Sequence, residues 1–149
     1  MNARYPLVAL ALGVMGFAAV EVAGALAGYR PGLGASLALD ASAYALSTLL
    51  VALLMRAAYT RARGARAVLP IVLSMLLFAP LTALLAGAAD LTLLGGWGIE
   101  SLVRGAFIAT PVNLILTLTV ELGFVALPLG ALSQWVLWRI ARMEAKRWV

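Results

Sequence analysis

The chain has 149 residues, of which 64% are hydrophobic and only 11% charged, with a mean hydropathy of +1.04. Soluble domains are about one-half apolar and one-quarter charged, so this composition calls for lipid as solvent and predicts an all-α integral membrane protein forming one domain over residues 1–149. The chain has no His and no Cys, which excludes histidine-ligated haem or metal, histidine general bases, disulfides and thiolate sites.

The first apolar stretch covers residues 6–28, long enough for the roughly 20 residues that cross a bilayer. Arg4 and Ala25-Leu26-Ala27 have the layout of a signal peptide. The length of the run and Glu21 inside it favour an uncleaved helix instead. Glu21 shares a helical face with Ala18, Gly24, Ala25 and Gly28, and Gly24 and Gly28 have the small-xxx-small spacing of close helix packing. The expectation is that Glu21 faces another helix.

The sequence Glu21-Val22-Ala23-Gly24 followed by Tyr29-Arg30-Pro31-Gly32 resembles the start of small multidrug resistance transporters. That likeness covers about 40 residues. It implies that Glu21 exchanges protons for a cationic solute, although the family's glycine-rich third-helix motif is absent here.

The second stretch, 37–57, carries Asp40 on a stripe with Tyr44 and Ser47. Ser36 is read as an N-cap, which would put Asp40 in the first turn, where a negative charge suits the helix dipole. A basic connection follows, with Arg56, Arg61, Arg63 and Arg66. The third stretch, 68–89, opens with Pro70 in its first turn and contains Pro80, an expected kink. Its opening, Pro70-Ile71-Val72-Leu73, is like Pro6-Leu7-Val8-Ala9, so the chain reads as two helix pairs in parallel repeat.

Residues 90–107 form the next connection. Glu100, Arg104 and Trp97 suit a headgroup surface, which predicts a short interfacial helix over 99–110 before Pro111. The fourth stretch, 108–138, contains Pro111 and Pro128 and a polar stripe of Asn113, Thr117 and Glu121. Ser101-Leu102-Val103-Arg104-Gly105-Ala106-Phe107-Ile108-Ala109-Thr110-Pro111-Val112-Asn113, with Ala126-Leu127-Pro128-Leu129, resembles short bacterial membrane proteins built from tandem helix pairs. That resemblance implies the architecture and no activity.

Nine of the eleven basic residues (Arg4, Arg56, Arg61, Arg63, Arg66, Arg139, Arg142, Lys146 and Arg147) fall on one side of four spans. The positive-inside rule then puts both termini in the cytoplasm, in a multi-pass protein of the inner membrane. Trp135 and Trp138 mark the inner interface; Trp97 and Tyr29 mark the outer one.

Ionisable groups within a membrane are costly and mark function by default. Seventeen residues separate Arg4 from Glu21, sixteen separate Asp40 from Arg56, and eighteen separate Glu121 from Arg139. At 1.5 Å per residue, all three carboxylates lie about 24–27 Å above the inner boundary. Glu21, Asp40, Glu121, Asn113 and Thr117 therefore make a candidate intramembrane polar site, with Arg30 and Arg104 as ion-pair partners.

No metal-ligand spacing, cofactor motif, catalytic constellation or nucleic-acid signature is read here, and the chain is not expected to be an enzyme. The partners expected are the lipid bilayer and other membrane subunits, or further copies of the chain. The function expected is an accessory or structural subunit of a larger membrane complex or homo-oligomer; the alternative is a small proton- or cation-coupled transporter using the intramembrane carboxylates.

Overall fold

The computed structural model describes residues 4–26, 35–95, 99–100, 103 and 120–146. Among them lie four long helices: α1 (Arg4–Leu26), α2 (Ala35–Arg61), α3 (Val68–Gly95) and α4 (Val120–Lys146). A 3₁₀ turn, Gly64–Ala67, leads into α3, and no strand occurs among the described residues. Three segments are long and apolar enough to cross a membrane, namely Arg4–Leu26, Leu37–Arg61 and Gly64–Thr82.

Several boundaries differ from the expectation. α2 begins at Ala35, so Ser36 lies inside the helix and is not its cap, and Asp40 falls in the second turn, beyond the strongest part of the dipole. Pro70 is the third residue of α3, and Pro80 and Pro128 sit inside α3 and α4. α4 continues past Trp138 through the basic tail to Lys146. Ile99, Glu100 and Val103 are helical and exposed. The rest of the expected interfacial helix, Trp97, Pro111 and residues 108–119 of the fourth stretch lie outside the described residues.

α2 touches α1 and α3, α4 touches α1 and α3, and α2 also meets α4 across the bundle. Sequential helices are thus ring neighbours, as short connections favour. The turn after α2 depends on Gly64, whose φ of +55° is the left-handed conformation that side chains with a Cβ disfavour.

Because these helices are apolar nearly all round, no amphipathic stripe selects the packing face. Small residues do it instead. A Cβ on Gly13 would stand 2.6 Å from the Cα of Ala45 and 2.9 Å from the carbonyl oxygen of Tyr44, so α1 and α2 approach as closely as backbone allows. The largest buried cluster lies at the arginine-bearing end and includes Tyr5, Ala9, Ala52, Tyr59, Leu137, Trp138 and Ala141. Outside, Leu54, Leu69 and Leu76 are exposed, an apolar coat that needs lipid or protein cover.

Candidate functional site

At the arginine-bearing end, polar contacts tie the helices together. Tyr5 is buried on α1 and donates its hydroxyl to the carbonyl of Ala52 at 3.1 Å. The Arg56 guanidinium lies 5.2 Å from the centre of the Tyr5 ring and pairs with Glu144 of α4 at 3.0 Å. The two side chains of that pair are 29% and 14% exposed, enclosed enough to hold more than the usual surface ion pair. Trp138, expected as an interfacial anchor, turns inward and donates its indole N–H to Ala62 at 3.3 Å. Arg142 stacks over Trp138, and Arg139 stacks over the exposed Trp135.

One turn further in, α2, α3 and α4 meet at a buried hydroxyl cluster. Tyr59 Oη donates to Gln134 Oε1 at 2.7 Å and also touches Ser74 Oγ. Ser74 donates to the carbonyl of Pro70 at 2.6 Å. Together these contacts join α2, α3 and α4 through one buried cluster.

That cavity, of about 70 Å³, lies among all four helices. Its walls are largely apolar, with Gly16, Tyr44, Thr48, Phe78, Ser133 and Gln134 among them. A space of this size holds a few waters or one small solute. Two of its lining rings, Tyr44 and Phe78, stand 5.6 Å apart, and Phe17 packs on Tyr44 at 5.4 Å.

The charges of Asp40, one turn before it on α2, and of Glu21 on α1 both act on Tyr44. Glu21 is partly buried, and its Oε2 atom is fully enclosed with no hydrogen-bond partner among the described residues. Gly24 is buried within α1. Glu121 lies in the first turn of α4, its side chain outside the described residues. Asn113, Thr117, Arg30, Arg104 and Gly28 lie outside them as well.

Sequence reasoning missed Tyr59, Ser74, Thr82, Gln134 and Glu144. Two signals were present: Gln134 is the only glutamine in the chain, and Glu144 is the only acid in a basic tail. Thr82 gave none, because a helical threonine ordinarily satisfies itself on the preceding turn. Comparison with protein-family models, with curated proteins and with solved structures finds no match to this chain.

Proposed function

We propose that the chain is a multi-pass protein of the bacterial inner membrane, with both termini cytoplasmic, that binds and moves a proton or small cation through a site built on Glu21. The carrying observation is the enclosed carboxylate oxygen of Glu21, without a hydrogen-bond partner among the described residues, whose charge acts on the cavity-lining Tyr44. An unpaired carboxylate in a low-dielectric interior is expensive, and the expense makes sense where the group exchanges partners during a cycle. The arginine-bearing end becomes the cytoplasmic end by the positive-inside rule, and α4 becomes the fourth crossing.

The test is reconstitution into liposomes containing a trapped pH-sensitive dye, with imposed Na⁺ or K⁺ gradients. Wild-type protein should couple cation and proton movement, and Glu21→Gln should abolish coupling while circular dichroism and melting stay near wild type. Equal flux in the variant, or none above empty liposomes in the wild type, removes the reading.

A second reading, an accessory subunit of a larger complex or homo-oligomer, draws on α3. This helix packs on α2 and α4 and leaves Val68, Leu69, Val72, Leu73, Leu76 and Leu77 exposed along its outside. Native mass spectrometry after gentle extraction separates the two: stoichiometric foreign subunits support the accessory reading, and a lone monomer removes it.

A further inference from the structure

Two enclosed oxygens in the half of the bundle away from the arginines have no hydrogen-bond partner among the described residues: Oε2 of Glu21 on α1 and Oγ1 of Thr82 on α3. Helical register relates them. Glu21 lies four residues beyond Phe17, Thr82 four beyond Phe78, and Asp40 four before Tyr44. Residues four apart share a face, one turn of about 5.4 Å along the axis. Phe17, Tyr44 and Phe78 form one continuous aromatic contact, so Glu21, Asp40 and Thr82, one turn outward on their helices, stand at a similar height in the bundle. The reach of both Glu21 and Asp40 to Tyr44 agrees with that placement.

Thr82 is only 3% exposed. Ser42, Ser47, Thr48 and Ser74 each return the hydroxyl to the carbonyl four residues back, and Thr82 does not. Pro80 lies just before it and cannot donate to the carbonyl four residues behind, which loosens α3 here. A buried hydroxyl and a buried carboxylate oxygen, each without a partner among the described residues, are costly to leave unsatisfied.

We infer that Glu21 and Thr82 form a binding site for a small alkali cation, with the Glu21 carboxylate supplying the charge, the Thr82 hydroxyl a neutral oxygen, and Asp40 a second carboxylate at the same level. Oxygen donors of this kind suit hard cations. A carboxylate beside a neutral hydroxyl offers few charged donors, which suits a cation of single charge. This inference deepens the transport reading by naming its ligand, and it is tested by binding rather than flux.

The experiment is thermal unfolding of the purified chain in lithium, sodium or potassium chloride against choline chloride at equal ionic strength, at mildly acidic and mildly alkaline pH. A ligand that binds only the folded state raises its melting temperature, and one of the alkali cations is expected to raise it by about 3 °C or more. The shift should vanish in Thr82→Val and Glu21→Gln and persist in Thr82→Ser. Thr82→Ala serves if the valine variant does not fold in choline.

A melting temperature indifferent to every alkali cation overturns the inference, as does a shift that survives Thr82→Val. A response to pH alone also overturns it and assigns the layer to a proton. Loss of flux with the cation shift intact removes the transport reading and keeps the site. Flux without the shift does the reverse.

Discussion

The two halves of the bundle handle polar groups in opposite ways. Toward the arginines, Arg56 has Glu144, Tyr5 has the Ala52 carbonyl, Trp138 has Ala62, and Tyr59 has Ser74 and Gln134. Away from them lie a cavity, an aromatic layer and two enclosed oxygens without partners among the described residues. The first arrangement holds helices in register. The second, among the described residues, encloses polar atoms without tying one helix to another.

The boundary between the halves is Gly13, and breaking it should produce the largest effect. Gly13→Ala drives a methyl into the α2 backbone, with an expected loss of about 3 kcal/mol from overpacking. Gly16, one turn on, has nothing within 4 Å of a built Cβ. Gly16→Ala should therefore leave stability unchanged or raise it by roughly 0.5–1 kcal/mol. Chemical denaturation of both variants in one detergent makes the comparison, and a Gly13→Ala variant as stable as wild type would refute the close approach.

Next comes the hydroxyl cluster. Tyr59→Phe removes one atom that joins α2 to α3 and α4, and should cost about 1–2 kcal/mol, the upper range for polar contacts between membrane helices. The same change at Tyr44 removes a hydroxyl on the far side of the cavity and should cost less. Equal losses at the two tyrosines would erase the distinction between tied and untied halves.

The smallest effect is expected at the ion pair. Glu144→Gln should cost roughly 1 kcal/mol, given its partial exposure. A double-mutant cycle with Arg56→Gln should recover a coupling energy of similar size that shrinks as salt is added. A coupling near zero would make the pair incidental and leave Tyr59 as the main tie across the bundle.

Much of the architecture was legible in the chain. Long apolar runs force helices where backbone groups have no water to bond, and the spans 6–28, 37–57 and 68–89 correspond to α1, α2 and α3 within a few residues, with α3 running six residues further to Gly95. The common level expected for Glu21 and Asp40 came from a related argument, because depth along a straight helix is a count of residues. The start of α2 was misjudged because Ser36 has the chemistry of a cap without occupying its position.

Composition and spacing by themselves determined the apolar helices and the chemistries excluded, because each depends on one chain segment at a time. The tertiary structure alone decided which small residue brings α1 against α2, that Glu144 pairs with Arg56, that Gln134 meets Tyr59, and that the Thr82 hydroxyl is enclosed. Those are contacts between helices whose surfaces are almost uniformly apolar. Hydrophobicity there cannot choose a face, and the choice falls to shape and to the few polar atoms that must find one another.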